Sequence, residues 1–226
     1  MIFPHPIEAV LFDMDGLLVD TEALYRDAML AEAEAQGRPM PLSLFLQTVG
    51  LPAHASDELA RDHFGEHVDL ARYNSEVTRR VTDRLMAGVA LKEGVIELLD
   101  LLDELNIPRA IVTSSSHETV EAHLRRTGIV PRFHAVIARG DYIRGKPHPD
   151  PFLRAADVLK RPPAGCLVLE DSHNGIRAAH AAGMTAIMVP DLLEPTEEMR
   201  GLCFAVVETL HEVRDALLKW RRGVIR

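Results

Sequence analysis

A buried strand that runs directly into two acidic residues is the feature that most constrains this chain. Residues 9–12, Ala-Val-Leu-Phe, form an uninterrupted apolar run, which is typical of a strand buried on both faces. Asp13 and Asp15 follow this run, and Gly16 allows the chain to turn away. Two carboxylates about 4 Å apart repel by about 4 kcal/mol at an effective dielectric of about 20, so a bound cation or a retained proton is expected between them. The motif alone is not decisive, because Asp and Gly are also ordinary turn residues.

The rest of the chain alternates strand-like apolar runs with amphipathic helical segments. The predicted strands after the first are residues 109–113, 135–138, 166–169, 185–189 and 204–207. The predicted helices include residues 93–105, 149–159, 176–182 and 210–220. Such alternation predicts an α/β fold with a Rossmann-like, doubly wound parallel sheet. The chain has no G-x-G-x-x-G motif after a strand and no P-loop motif, so dinucleotide and P-loop nucleotide binding have no support.

A helical segment without strand patterns interrupts this alternation directly after the first strand. Asp20 or Thr21 is expected to cap its first helix, which should stop at Gly37. We therefore predict an α/β core formed by residues 1–19 and 88–226, and an all-helical cap formed by residues 20–87. The cap is attached beside the acidic pair, where it can cover a site as a lid does.

Polar side chains are found at the carboxyl ends of four predicted strands or in the loops that follow. Because the carboxyl ends of parallel strands lie at one edge of a sheet, these side chains are expected to meet there. The candidate site residues are Asp13, Asp15, Thr113, Ser114, Lys146, Glu170 and Asp171. Clustered carboxylates suit Mg²⁺, whereas hydroxyl groups and a lysine suit a phosphate dianion. An aspartate can accept a phosphoryl group, and a second carboxylic acid can protonate the leaving oxygen.

Several of these residues also fit purely structural roles. Ser115 and Glu118 match a capping box for the next helix, and residues 170–172 can cap the helix that follows them. Lys146 fits an ordinary loop lysine held between prolines. Each structural interpretation is reasonable for one residue, but the coincidence at four strand ends favours a shared site. No functional role is predicted for the histidines that lack metal-ligand spacing with carboxylates, namely His117, His123, His134 and His148.

The composition disfavours several classes of protein. The net charge of −9 and the absence of a long basic run argue against nucleic-acid binding. The two cysteines, Cys166 and Cys203, are expected to be small buried residues rather than a disulfide or a zinc site. No apolar stretch approaches the roughly 20 residues that a membrane span needs, and no signal-peptide pattern is found. We expect a cytoplasmic monomer with no nucleic-acid or membrane partner.

These motifs, in this order, resemble the haloacid dehalogenase-like hydrolase superfamily over essentially the whole chain. The helical cap after D-M-D-G-L-L-V-D-T-E, followed by V-T-S-S-S, G-K-P-H-P-D-P-F and L-E-D-S-H-N-G-I-R-A-A, is similar to the β-phosphoglucomutase-like group. The resemblance implies that Asp13 is the nucleophile and Asp15 the general acid/base. It also implies that Thr113 and Lys146 hold the transferring phosphoryl group, with assistance from Ser114.

The resemblance further implies a Mg²⁺ cofactor. Its ligands would be the Asp13 carboxylate, the backbone carbonyl of Asp15, Asp171 and, directly or through water, Glu170. The substrate would be a small phosphorylated metabolite, which the metal helps to bind.

Departures from the family's patterns narrow the expected activity. Asp15 argues against dehalogenation, since dehalogenases that resemble this fold lack the second aspartate and need no metal. No lysine precedes Lys92, so the cap lysine of phosphonoacetaldehyde hydrolases is missing. Tyr25 and Ala53 stand where β-phosphoglucomutases have a cap histidine and an arginine.

The expected function is therefore Mg²⁺-dependent hydrolysis of a phosphomonoester, with a sugar phosphate as the first expectation. A phosphosugar mutase, a dehalogenase and a non-enzymatic phosphate-binding protein are the alternatives. Substrate choice is expected to depend on cap residues near Tyr25, in residues 51–54 and in residues 72–80.

Overall fold

A six-stranded parallel sheet forms the centre of the computed structural model, which describes residues 3–49, 53–65 and 67–224. The strands are β1 (Ala9–Phe12), β2 (Arg109–Ser116), β3 (Ala135–Arg139), β4 (Cys166–Glu170), β5 (Thr185–Met188) and β6 (Ala205–Val206). Their order across the sheet is β3-β2-β1-β4-β5-β6, and every neighbouring pair is parallel. The predicted α/β fold with a Rossmann-like parallel sheet is confirmed.

Helices cover both faces of this sheet, and strand β1 shows why. Val10 and Phe12 belong to one hydrophobic cluster, whereas Ala9 and Leu11 belong to the cluster on the opposite face. Successive side chains of a strand point to opposite faces, so a strand that is apolar throughout must be covered twice. The covering helices are α5 (Val95–Glu104), α6 (His117–Leu124) and α10 (Leu210–Val224) on one face and α7 (Asp150–Leu159), α8 (His173–Ala181) and α9 (Glu197–Leu202) on the other.

The described part of residues 20–87 consists of helices and the loops that connect them, with no strand. These helices are α1 (Thr21–Ala35), α2 (Leu42–Thr48), α3 (Ala53–Phe64) and α4 (Leu70–Ala87). They share a hydrophobic cluster of their own, in which Phe45 and Tyr73 are the largest fully buried side chains. The segments that lead into and out of this unit run side by side, since the Lys92 N–H donates to the Leu18 carbonyl at 3.0 Å. The domain boundaries at residues 19/20 and 87/88 remain a prediction.

Several local predictions need correction. Gly16 does turn the chain, with a φ of +82°, but Asp20 occupies the N-cap position of α1 without a side-chain capping bond. Helix α9 was not predicted, because it is short and lacks an extended amphipathic pattern. Cys166 is buried as expected, whereas Cys203 is only half-buried.

Membrane insertion through a helix has no support in the described residues. None of their helices combines the length and the apolar character that a bilayer crossing requires. This finding agrees with the hydropathy of the sequence.

Helix α5 allows a direct test of which face carries the core. Leu99 is fully buried against the sheet, whereas Ile96 on the same helix is 41% exposed. Truncating a fully buried leucine removes contacts and leaves a cavity, so Leu99→Ala should lower the free energy of unfolding by about 2–5 kcal/mol. Ile96→Ala is the matched control and should cost less than about 1 kcal/mol in urea denaturation. Equal losses in the two variants would contradict the assigned orientation of α5.

Candidate active site

The carboxyl edge of the sheet meets the helical cap at a cavity of about 600 Å³. Strand β1 ends at the acidic pair, β2 carries the hydroxyl residues, the loop after β3 carries the lysine, and Asp171 follows β4. The predicted site residues that line this cavity are Asp13, Asp15, Thr113, Ser114, Lys146 and Asp171. Glu170 lies beneath them and is fully buried. The structure thus brings all seven predicted side chains to one place.

Lys146 connects two of the strand ends electrostatically. Its Nζ lies 2.5 Å from Oδ1 of Asp13, forms an ion pair with Glu170, and donates to the Val112 carbonyl at 3.0 Å. The ring of Phe152 lies below the ammonium, with 5.1 Å between Nζ and the ring centroid. Burial lowers the pKa of Lys146, but the charges of Asp13 and Glu170 outweigh burial and raise it above its ordinary value. Lys146 therefore stays a cation in this site.

Asp13 lies in a place that disfavours its charge. Burial raises its pKa to about 8, against the attraction of Lys146 and with added repulsion from Glu170 and Asp15. Only 8% of the residue is exposed, so water screens these charges poorly. A cation bound to Asp13 would favour the ionised form, in which the carboxylate is a nucleophile.

Residues at the start of helix α8 pack against Glu170 and hydrogen-bond to it. The backbone N–H and the hydroxyl of Ser172 donate to Oε2 of Glu170 at 3.1 and 2.9 Å. Gly175 packs so closely against this carboxylate that any Cβ there would overlap it. Ser172 also accepts from the N–H of Gly175 and so caps α8, as residues 170–172 were expected to do. Glu170 is therefore held rigidly by the helix that follows it.

Three carboxylates form a compact group that fits a divalent cation. Asp13, Glu170 and Asp171 each offer an oxygen, and these oxygens lie within 4.8 Å of one another. Two of the three residues are buried, and Lys146 is the permanent cation paired with Asp13 and Glu170. Carboxylate oxygens grouped this closely are hard ligands, and such ligands suit Mg²⁺.

Asp15 is held by side chains from three separate elements. Oδ1 accepts from the Thr21 hydroxyl at 2.8 Å and lies 2.9 Å from Nδ1 of His123, while Oδ2 accepts from the Ser115 hydroxyl at 2.9 Å. Burial raises the pKa of Asp15, but the hydrogen bonds from His123, Thr21 and Ser115 lower it below the ordinary value. His123 is itself 4% exposed, and Thr21 is 1% exposed. Both oxygens of Asp15 are thus fixed in position.

One sequence prediction is wrong at this point, and one contact was not anticipated. Ser115 was assigned to a capping box with Glu118, but Ser116 is the N-cap of α6 and accepts from the N–H of Thr119. His123 was given no role, yet it contacts Asp15 across a separation of 108 residues. No local pattern connects His123 with the acidic motif, so only the fold could reveal this contact.

Thr113 and Ser114 differ in their exposure. Thr113 is 2% exposed and its hydroxyl accepts from the N–H of Ser115 at 3.0 Å, whereas Ser114 is exposed at the cavity surface. The hydroxyl of Tyr142 donates to the Thr113 carbonyl at 3.1 Å. These bonds fix the backbone of β2 where Thr113, Ser114 and Ser115 line the cavity.

The cap contributes the opposite wall of the cavity. Tyr25 lines it, as do Asn74 and Thr78 from the predicted stretch of residues 72–80. The predicted specificity residues Leu51 and Pro52 lie outside the described residues, and the side chains of Ala53 and His54 are not described.

Comparisons with known proteins agree with this geometry. The model of the haloacid dehalogenase-like hydrolase family matches residues 7–183. The chain is 38% identical over 190 residues to a Drosophila melanogaster protein named "Probable pseudouridine-5'-phosphatase", covering 80% of each chain. It is 33% identical over 187 residues to the "Phosphorylated carbohydrates phosphatase" of Thermotoga maritima, covering 80% of this chain and 84% of that protein.

A solved structure is similar along nearly its whole length. The crystal structure of CbbY from Rhodobacter sphaeroides in complex with phosphate is 28% identical, has a TM-score of 0.74, and is matched over 92% of this chain and 96% of that chain. The chain therefore belongs to the haloacid dehalogenase-like hydrolase family. These matches confirm the predicted family and the prediction of an enzyme, since the relatives within that family are named as phosphatases.

The acidic group can be tested as a metal site. Mg²⁺ that binds only the folded state should raise the unfolding temperature, and Asp171→Asn should weaken this binding at least about tenfold because a ligand charge is lost. Asp157→Asn is the matched control, since its side chain is 75% exposed and carries the same charge change on the surface. The measurement is a calorimetric titration with Mg²⁺. If Asp171→Asn bound the metal as tightly as the wild type, Asp171 would not be a metal ligand.

Proposed function

We propose that this chain is a Mg²⁺-dependent phosphomonoester hydrolase that acts through an aspartyl-phosphate at Asp13 on a small phosphorylated metabolite, first of all a sugar phosphate. One observation carries the proposal: Lys146, Asp15 and the group formed by Asp13, Glu170 and Asp171 converge on one cavity. The names of the two relatives, which refer to phosphorylated carbohydrates and to pseudouridine-5'-phosphate, support it.

In the first step, Asp13 attacks the phosphorus atom of the substrate. A bond forms between an Asp13 oxygen and phosphorus while the bond from phosphorus to the substrate oxygen breaks. Lys146 and the hydroxyl of Thr113 orient the phosphoryl oxygens. Protonated Asp15 donates its proton to the departing alcohol. Mg²⁺ on Asp13, Asp171 and the Asp15 carbonyl, with Glu170 directly or through water, would offset the negative charges that otherwise separate nucleophile and substrate.

In the second step, Asp15 acts as a base. It takes a proton from a water molecule, whose oxygen attacks the phosphorus of the aspartyl-phosphate. The Asp13–phosphorus bond breaks, inorganic phosphate leaves, and both aspartates return to their starting states with Asp15 protonated. The cap closes over the cavity during transfer and opens for release.

His123 serves this mechanism as a positioning residue. Once Asp15 has given its proton to the leaving alcohol, its carboxylate only accepts hydrogen bonds, so Nδ1 of His123 donates to Asp15 in that state. Together with Thr21 and Ser115, it leaves the carboxylate little freedom to rotate away from the leaving oxygen. Precise placement of an acid matters because displacements of about 1 Å can cost about a hundredfold in rate.

Other activities fit the site less well. Asp15 lines the cavity beside Asp13, which supports the argument against dehalogenation. A phosphosugar mutase is the main alternative, and it would return a rearranged sugar phosphate with little free phosphate. The missing cap histidine, replaced by Tyr25 in the cavity wall, supports hydrolysis. A cytoplasmic monomer without nucleic-acid or membrane partners remains part of the proposal.

Replacing the nucleophile tests the reaction itself. Asp13→Asn keeps the size of the side chain but cannot form an aspartyl-phosphate, so Mg²⁺-dependent phosphate release from p-nitrophenyl phosphate should fall at least about a thousandfold. Circular dichroism should show a folded protein. Full activity of the folded variant would remove Asp13 from the mechanism.

Substitution of His123 tests the positioning of Asp15. His123→Leu should lower kcat/KM for a sugar phosphate by about ten- to a hundredfold, because an alcohol leaves poorly without a proton. With p-nitrophenyl phosphate the loss should be below about threefold, because a nitrophenolate needs no proton to leave. His123→Asn keeps an N–H donor near the position of Nδ1 and should restore most of the loss. Equal losses with both substrates would mean that His123 only supports the fold.

A further inference from the structure

Among the described cap residues that line the cavity, the side chains are uncharged except at one position. Neutral polar groups come from Thr48, Ser56, Asn74 and Thr78, and apolar surface comes from residues such as Met29 and Phe45. A wall of this kind favours a ligand that presents hydroxyl groups together with a carbon skeleton.

Asp57 is the charged residue among the described cap residues that line the cavity. It lies on α3, and its Oδ1 accepts from Nδ2 of Asn74 on α4 at 2.9 Å. This bond orients both side chains and leaves further acceptor oxygens on Asp57 and Asn74. Acceptors that are fixed in this way bind hydroxyl donors and repel anions.

The cations of the site are already engaged. Among the described residues that line the cavity, Lys146 is the sole lysine or arginine, and it is ion-paired with Asp13 and Glu170. The proposed metal would lie at the same end. A second anionic group on the substrate, pointing toward the cap, would therefore meet Asp57 without a compensating lysine or arginine among the described lining residues.

We propose that the substrate is the monophosphate of a neutral, hydroxylated compound, and that Asp57 with Asn74 selects it by binding hydroxyl groups and rejecting a second anionic group. This inference rests on the proposed phosphatase activity and adds the charge class of the leaving group. Bisphosphates and phosphorylated carboxylic acids are then poor substrates, although their phosphate esters are chemically equivalent.

Matched pairs of substrates test this selection. Each pair shares a skeleton and differs by one anionic group: glucose 6-phosphate with 6-phosphogluconate, ribose 5-phosphate with ribose 1,5-bisphosphate, and glycerol 3-phosphate with 3-phosphoglycerate. For the pair that contains the best neutral substrate, kcat/KM should favour the neutral member at least about tenfold at low salt. The preference should shrink as ionic strength rises.

Variants that change the charge at residue 57 test whether Asp57 causes the preference for the neutral substrate. Asp57→Asn should lower the ratio of kcat/KM for the neutral substrate to kcat/KM for the anionic one by about threefold or more. Asp57→Lys should lower this ratio further or reverse the preference. Asp62→Asn is the matched control, because Asp62 is exposed on the same helix and does not line the cavity. It should leave the ratio unchanged. Circular dichroism verifies that each variant is folded.

The outcomes separate this inference from the proposed function. No Mg²⁺-dependent hydrolysis of p-nitrophenyl phosphate would defeat the proposed function itself. Suppose instead that p-nitrophenyl phosphate is hydrolysed. The selection for neutral compounds would then be overturned if the anionic substrate of a pair were the better one, or if no neutral substrate were hydrolysed. A wild-type preference that Asp57→Lys leaves unchanged would overturn the role of Asp57.

Discussion

The contact of Lys146 with both Asp13 and Glu170 is the interaction on which the rest of the site depends. It joins the ends of β1 and β4, which are neighbours in the sheet, through a loop that follows β3. Without the ammonium, two buried carboxylates would repel each other, and the pKa of Asp13 would rise further. A buried charge that loses its partner typically costs about 3–5 kcal/mol. The lysine therefore contributes to stability as well as to the binding of an anion.

The topology explains why so many acidic groups can be gathered at one edge. Every strand of the sheet is parallel, so the residues that follow β1, β2 and β4 emerge on the same side. The start of α8 supports Glu170 through Ser172, and the turn at Gly16 brings Asp15 back toward α1. The cap is connected at this edge, so its helices supply the wall that faces the acidic group. The carboxyl edge of the sheet therefore concentrates the charged side chains, and the cap encloses the cavity above them.

Local patterns predicted the parts of this protein that depend on local physics. The apolar run of β1, the acidic turn after it and the alternation of strands and helices could all be derived from neighbouring residues. The contact between His123 and Asp15 could not, because it joins residues 108 positions apart and depends on how α6 packs against β2 and β3.

The capping residue of α6 was misplaced for a related reason. Strand β2 continues to Ser116, which pairs with Arg139 after an irregularity in the register. The helix therefore starts one residue later than the sequence pattern suggested, and Ser115 is left to bind Asp15. Where the strand ends is decided by its partner strand, and sequence periodicity does not carry that information.

The formation of an aspartyl-phosphate is the central claim, and chemical trapping tests it most directly. The wild-type protein is mixed with Mg²⁺ and the best phosphomonoester, quenched in acid during turnover, and treated with borohydride, which reduces an acyl phosphate to an alcohol. If Asp13 is phosphorylated during turnover, mass spectrometry of the peptides should find homoserine at position 13 and no modification at Asp15. Phosphate release in the same sample without a modified residue 13, or with the modification on another carboxylate, would contradict this claim.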